Sequence, residues 1–129
     1  MIDIIIDTNF FMISHKNKID IINALNELVS ERHEIITFTG VLKELKSISN
    51  ASRGVDGVAA RVALELIEKK DFKLLESIGN VDDYIIKYVD LNKDKKIMVC
   101  TADAMLKKSL RDRGVDIICM RSGKNLGLC

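Results

Sequence analysis

The sequence predicts a three-layer α/β/α sandwich around a central, mostly parallel five-stranded sheet. Five short runs of β-branched and apolar residues alternate along the chain with segments whose apolar residues recur at helical spacing. Strands that alternate with helices form βαβ units, so a parallel sheet with helices on both faces is expected. The length of 129 residues suits one core, and we therefore expect a single domain over 1–129.

The predicted strands are short and strongly apolar. Ile2–Ile6 is isoleucine throughout except for Asp3, which is typical of a strand buried on both faces of a sheet. The other four strands are predicted over residues 34–38, 72–76, 96–100 and 115–120.

The predicted helices connect these strands. The clearest covers Val55–Lys69, whose apolar residues are expected to form one buried stripe. That stripe consists of Val55, Val58, Ala59, Val62, Ala63, Leu66 and Ile67. Further helices are predicted over 18–30, 40–48, 82–89 and 102–113, and Gly114 suits the end of the last one.

Composition argues against several classes of protein. The net charge of +1 gives no strong overall field for nucleic acid, so any such site must be a local basic patch. No apolar run reaches the roughly 18 residues of a membrane span, and residues 1–6 are too short a run for a signal peptide, so a cytoplasmic protein is expected. The three cysteines lack CxxC spacing, which disfavours zinc; Cys100 and Cys119 are expected to be buried hydrophobic residues.

Acidic residues follow four of the predicted strands. Asp7 comes directly after the first strand, Glu44 lies in the helix after the second, Asp82 and Asp83 follow the third, and Asp103 follows the fourth. In open α/β sheets, ligands bind beyond the carboxyl ends of the strands. These carboxylates are therefore expected to meet at one edge of the sheet.

Most of these acids have a structural interpretation as well. Asp7 and Asp103 are suitable helix N-caps, with Thr101 as a competitor for the second cap. Asp82 and Asp83 would complement the dipole of the helix that they begin.

Glu44 is harder to explain structurally. The only suitable cap before it, Thr39, would place Leu42 at the third helical position, so Glu44 is not the partner in a capping box. At helical spacing Glu44 lies at the margin of the apolar face, beside Val41 and Ile48. A carboxylate in that position needs a partner.

A metal ion would explain why the acids gather. Two carboxylates about 4 Å apart repel each other by about 4 kcal/mol at an effective dielectric constant near 20. Hard divalent ions, Mg²⁺ or Mn²⁺, are the usual partners of such oxygen ligands, and they activate water towards phosphate esters. No histidine or cysteine nucleophile lies nearby in the sequence, so metal-activated water is the expected attacking group.

Other classes fit the first acidic segment less well. A dinucleotide-binding domain would have a glycine-rich turn after the first strand, whereas Asp7-Thr8-Asn9-Phe10 contains no glycine. An aspartyl-phosphate phosphatase would have a second aspartate where Asn9 stands. A non-catalytic module, whose acidic pocket binds a basic segment of a partner, stays open.

Four segments resemble the motifs of PIN domains. They are IIIDTNFFM, TGVLKELKSI, NVDDYIIKYV and MVCTADAMLKKSL, in the family's order and spacing, and the likeness runs from residue 2 to about residue 121. The stretches RVALELIEKK and GVDIICMR are similar to archaeal PIN proteins related to those that process ribosomal RNA precursors, and VapC toxins share the same catalytic set.

The resemblance implies a metal-dependent endoribonuclease with an acidic two-metal-type site, which acts on single-stranded or structured RNA. The metal-binding and catalytic acids would be Asp7, Glu44, Asp82 and Asp103, with Asp82 preferred and Asp83 the alternative ligand. The supporting residues would be Thr8, Asn9 and Thr101. The candidates for gripping the RNA backbone are Lys43, Lys46, Arg53, Lys107, Lys108 and Arg111. The choice between Mg²⁺ and Mn²⁺, between a toxin and a ribosomal-RNA processing role, and between an antitoxin, a ribosome-assembly partner and a homodimer stays open.

Overall fold

A six-stranded sheet lies at the centre of the computed structural model, which describes residues 1–122 and 124–129. The strands are β1 (Ile2–Ile6), β2 (His33–Phe38), β3 (Lys73–Leu75), β4 (Ile97–Cys100), β5 (Asp116–Met120) and β6 (Leu126–Leu128). The helices are α1 (Thr8–Lys16), α2 (Ile21–Leu28), α3 (Thr39–Ala51), α4 (Val55–Lys69), α5 (Val81–Leu91) and α6 (Ala104–Asp112).

The strand order is β3-β2-β1-β4-β5-β6, and the first five strands are parallel. The α/β class and the mostly parallel sheet are thus confirmed, but the expected number of five strands is wrong. The sixth strand, β6, pairs antiparallel with β5 and has only three residues with Gly127 at its centre. Such a segment carries no strand pattern, and only its pairing partner creates it.

The central strand β1 carries the core of the molecule. Ile4, Ile5 and Ile6 are completely buried between the helical layers, as the isoleucine run predicts. Ile5 lies in register with Ile36 of β2 on one side and with Val99 of β4 on the other. This register aligns the carboxyl ends of β1, β2 and β4, three of the four strands that precede the acidic segments.

The helix α1 was not predicted. Its apolar residues Phe10, Phe11 and Met12 are consecutive and all buried, so the segment shows no helical stripe. The helix begins where it does because the Asp7 carboxylate accepts a hydrogen bond from the Phe10 amide at 2.7 Å.

The helix α4 has the predicted bounds but a different buried face. Its buried positions are Gly57, Ala59, Ala60 and Ala63, whereas Val55, Val58 and Val62 are exposed. Small residues let the backbone of α4 approach α1 and α3 closely, and a Cβ on Gly57 would lie 1.9 Å from the Ser52 carbonyl oxygen. The predicted stripe is therefore wrong at its three valines, because close packing favours the small face of α4. It is right at Ala59 and Ala63, which are buried, and Leu66 and Ile67 are partly buried against the core.

Two further expectations need correction. Cys100 is buried as expected, but Cys119 is half-buried and forms a disulfide with Cys129, with the two Cα atoms 6.1 Å apart. Thr39 is the first residue of α3 and does not cap it; Phe38 occupies the N-cap position without a side-chain bond. None of the helices in the described part of the chain combines the length and apolar character needed to cross a bilayer.

Candidate functional site

A cavity of about 320 Å³ opens at the carboxyl ends of β1 and β4. Its wall consists of Asp7, Thr8, Asn9, Met12, Glu44, Ile48, Val81, Asp82, Ala102 and Asp103. Four carboxylates from four separate segments of the chain thus face one space, which we call the acidic cavity.

Asp7 and Asp103 reach the acidic cavity from equivalent positions. Each follows a parallel strand and caps the next helix, with Oδ1 of Asp7 accepting from the Phe10 amide at 2.7 Å and Oδ1 of Asp103 accepting from the Leu106 amide at 2.8 Å. The capping interpretation and the cavity-lining interpretation therefore hold together. The caps also aim the positive ends of α1 and α6 at the carboxylates, which favours negative charge there.

Glu44 and Asp82 come from α3 and α5. Asp82 lies in the first turn of α5. Asn80 caps this helix, because its side chain accepts a hydrogen bond from the Asp83 amide at 3.2 Å. Glu44 lies on α3 between the buried Val41 and Leu45, but its own side chain is largely exposed at the mouth of the cavity.

Two reciprocal hydrogen bonds hold these helices against each other. The Gly40 amide donates to Ser77 Oγ at 2.9 Å, and the Ser77 amide donates to Thr39 Oγ1 at 3.0 Å. This pair, the Thr39–Ser77 clamp, joins the start of α3 to the loop before α5. It joins the segments from which the two helices that carry Glu44 and Asp82 begin.

The carboxylates of the acidic cavity are held in a medium that disfavours their charge. Burial, reinforced by Asp82 and Asp103, raises the pKa of Asp7 from the ordinary 3.8 to about 6, although the Thr101 hydroxyl and the Phe10 amide partly offset this. Burial, and then the charge of Asp82, raises the pKa of Glu44, while Thr8 lowers it. Burial, and then the charges of Asp103 and Asp83, raises the pKa of Asp82.

Within the part of the chain that the structure describes, no basic side chain forms an ion pair with these acids. The described residues form five ion pairs, and none of the five includes Asp7, Glu44, Asp82 or Asp103. In addition, Thr8 Oγ1 is buried in the wall, where no partner meets strict hydrogen-bond geometry but the Glu44 carboxylate lies close enough for Thr8 to lower its pKa. The excess negative charge of the four carboxylates is of the kind that a hydrated cation offsets.

The donor set fits a hard divalent ion held partly through water. All the polar side chains of the wall offer oxygen, or the amide of Asn9; the lining contains neither cysteine nor histidine, and its one sulfur is the weakly coordinating thioether of Met12. Within residues 1–122 and 124–129, no three acidic, histidine or cysteine side chains converge tightly enough to form a closed cage. Mg²⁺ commonly keeps several waters and uses one or two carboxylates, so a closed cage is not required.

The remaining predicted residues differ in how close they lie to the acidic cavity. Thr101 is buried beneath the acidic cavity, where its Oγ1 accepts from the Asp103 amide at 3.1 Å, and Asp83 is exposed outside it. Among the predicted basic residues, Lys43 lines an adjoining cavity. The others lie apart from the acidic cavity: Lys46 on another side of α3, Arg53 before α4, and Lys107, Lys108 and Arg111 on α6.

Sequence reasoning missed the apolar wall and the clamp. Met12, Ile48 and Val81 line the acidic cavity, but nothing in the sequence distinguishes these apolar residues from ordinary core residues. Thr39 and Ser77 are separated by 38 positions, and nothing local in the sequence links them.

The fold and the site together define a mostly parallel α/β protein with an acidic pocket at the carboxyl edge of its sheet. Residues 4–123 match the family model described as a PIN-like domain, so the chain belongs to the PIN-like domain family. This confirms the resemblance drawn from the four sequence motifs.

Two curated relatives are ribonucleases. The chain is 30% identical over 122 residues to ribonuclease VapC9 of Archaeoglobus fulgidus, covering 95% of this chain and 85% of that protein. It is 28% identical over 127 residues to ribonuclease VapC4 of Methanocaldococcus jannaschii, covering 96% and 94% respectively. Among solved structures, the PIN domain endonuclease Utp24 is similar with a TM-score of 0.81 and 25% identity, covering 98% of this chain and 90% of that chain.

Proposed function

We propose that this protein is a metal-dependent endoribonuclease that hydrolyses RNA phosphodiester bonds with Mg²⁺ or Mn²⁺. One observation carries the proposal: four carboxylates line a single cavity, and no basic side chain of the described residues pairs with any of them. The similarity to proteins named ribonuclease and endonuclease supports RNA hydrolysis as the reaction.

In this proposal each carboxylate has a separate role. Asp7 and Asp103 hold the main ion, since their caps fix both side chains and leave one oxygen of each carboxylate outside the cap bond. Glu44 and Asp82 complete the site and orient the attacking water, and Asp82 is preferred to Asp83 because it lines the cavity. When bound, the ion polarises the phosphate, lowers the pKa of bound water and stabilises the leaving oxygen.

The supporting residues hold the site together. Thr101 fixes the Asp103 amide, Thr8 offers its unpaired hydroxyl to the water shell, and Asn9 lies exposed at the rim. Backbone phosphates of the RNA would be gripped by basic side chains around the cavity, so cleavage should weaken as salt concentration rises.

The first test compares Asp103→Asn with Asp20→Asn. Asn keeps the N-capping bond in both variants, because Asp20 caps α2 as Asp103 caps α6. Wild-type protein should cut a fluorogenic single-stranded RNA in Mn²⁺ and stop on adding chelator. Asp103→Asn should lose at least about a hundredfold of that activity while its circular dichroism stays unchanged, and Asp20→Asn should retain it.

The neighbouring pair Asp82 and Asp83 provides a second comparison. Asp82→Asn should weaken Mn²⁺ binding, measured by titration calorimetry, whereas Asp83→Asn should leave it nearly unchanged. Equal losses in both variants would contradict the assignment of Asp82. A protein that binds Mn²⁺ but never cuts RNA would instead be the non-catalytic module.

A further inference from the structure

A second cavity, of about 380 Å³, continues from the acidic cavity along α3. The two cavities share Glu44, Ile48 and Val81 as a common wall. The second one extends beyond this wall to Gly40, Lys43, Ser47 and Gly79, and we call it the α3 groove. A molecule bound in the α3 groove would therefore contact the same three side chains as a molecule bound in the acidic cavity.

The two sides of the groove follow from helical spacing. Glu44 and Ile48 are four residues apart on α3 and form the shared wall, while Lys43 and Ser47 are also four apart and form the outer rim. The lining is predominantly apolar, and Ile48 and Val81 supply carbon surface on which a flat ring could pack.

Two glycines line the groove. A Cβ on Gly40 would lie 2.8 Å from Ser77 Oγ and 3.0 Å from Val81 Cγ2, so a side chain there would displace Ser77 and disturb the clamp. Gly79 adopts a φ of 74°, and nothing lies within 4 Å of the position its Cβ would take. Its backbone thus forms one wall of the groove with free space in front of it.

The α3 groove differs from the acidic cavity in that a basic side chain lines it. Lys43 is the one basic residue that lines the groove; it is exposed and takes part in none of the ion pairs of the described residues. An RNA strand that enters the acidic cavity is repelled by the carboxylates on both sides of the reacting phosphate. A cation about one nucleotide away would offset that repulsion at the next phosphate.

We propose that the α3 groove is a nucleoside subsite, which holds the base and ribose next to the scissile phosphate while Lys43 pairs with the following phosphate. This inference rests on the proposed ribonuclease function. The size and apolar lining of the α3 groove suit an uncharged ring, and the single lysine of the groove suits one phosphate. In this proposal the RNA strand runs along α3.

The first experiment fills the groove. Ser47→Trp places a large ring at an exposed helical position, and Asn23→Trp on the exposed face of α2 is the matched control. Ser47→Trp should raise the KM for single-stranded RNA by about tenfold or more, whereas the control should leave KM unchanged. Both variants should keep the wild-type thermal shift on adding Mn²⁺, which reports on the acidic cavity alone.

The second experiment measures the phosphate contact without catalysis. Binding of a labelled oligoribonucleotide is followed by fluorescence anisotropy in chelator at several salt concentrations. Lys43→Met should reduce the slope of log K against log salt by about 0.7, the value for one phosphate of a single strand, and Lys87→Met on α5 should not change it.

The outcomes separate the two proposals. If wild-type protein neither binds nor cuts RNA, the ribonuclease function fails and the subsite fails with it. If wild-type protein cuts RNA but Ser47→Trp has an unchanged KM and Lys43→Met an unchanged slope, the function stands and the subsite is overturned.

Discussion

Asp7→Asn should make the metal-free protein more stable at neutral pH. Asp7 is 4% exposed, and its pKa is raised from 3.8 to about 6, chiefly by burial. At about 1.4 kcal/mol per pKa unit, the ionised carboxylate costs the fold about 3 kcal/mol as an upper bound. Asn removes the charge but keeps an oxygen to accept the hydrogen bond from the Phe10 amide.

The pH dependence fixes the sign of this effect. The folded-state pKa of Asp7 is above its unfolded value, so its favourable contribution is complete below about pH 4 and is lost as the pH rises through about 6. The stability difference between Asp7→Asn and wild type should therefore be about 1–3 kcal/mol at pH 7.5 and should nearly vanish at pH 4. For a domain of this size that corresponds to roughly 3–10 °C in melting temperature.

The assay is thermal and urea denaturation in chelator at pH 7.5, 6 and 4. Asp20→Asn serves as the control, because it changes an exposed N-cap carboxylate far from the acidic cavity and should shift stability by no more than about 0.5 kcal/mol. Saturating Mn²⁺ should then reverse the order, since an ion at 100 times its Kd stabilises the wild type by about 2.7 kcal/mol and the variant by less. This reasoning would be refuted if Asp7→Asn were no more stable than wild type at pH 7.5. It would also be refuted if the stability difference between the two proteins did not change with pH.

Three further predictions concern the metal and the packing that supports it. Mn²⁺ affinity, measured by titration calorimetry, should fall as pH decreases through about 6, because protons compete with the ion for Asp7; a flat profile from pH 7.5 to 5 would contradict this. Ser77→Ala breaks the Thr39–Ser77 clamp and should weaken Mn²⁺ binding. The control is Ser52→Ala, which also removes a hydroxyl that accepts a backbone hydrogen bond. This control should change only the free energy of unfolding, by about 1 kcal/mol. Gly57→Ala should destabilise the fold by about 1–3 kcal/mol in urea denaturation, since its Cβ would lie 1.9 Å from the Ser52 carbonyl oxygen. Gly54→Ala, whose Cβ would have its nearest atom at 3.8 Å, should be tolerated. Equal stabilities of the two variants would contradict the close-packing argument for α4.

The sequence alone predicted the parts of the fold that carry a strong local pattern. The isoleucine run of β1 identifies a strand buried on both faces, and its end places Asp7 at the carboxyl edge. The same argument predicted Asp103 after β4. Both positions depend on strand direction and on the chain order of elements, which a βαβ alternation nearly determines.

Tertiary packing determined which side of each helix is buried, which the local sequence pattern does not specify. Asp82 and Asp83 are adjacent in the sequence, but about 100° of helix rotation directs one into the acidic cavity and the other into solvent. The same kind of rotation exposes Val58 and buries Ala60 on α4.

Features that join distant segments could not be foreseen at all. The strand β6 exists through its pairing with β5, and the clamp joins Thr39 to Ser77 across 38 positions. A sequence records the strand ends and the chemistry of each side chain, because these are properties of neighbouring residues. The rotation of each helix and the contacts between distant segments follow from the close packing of the whole molecule, and they determined which carboxylates share one cavity.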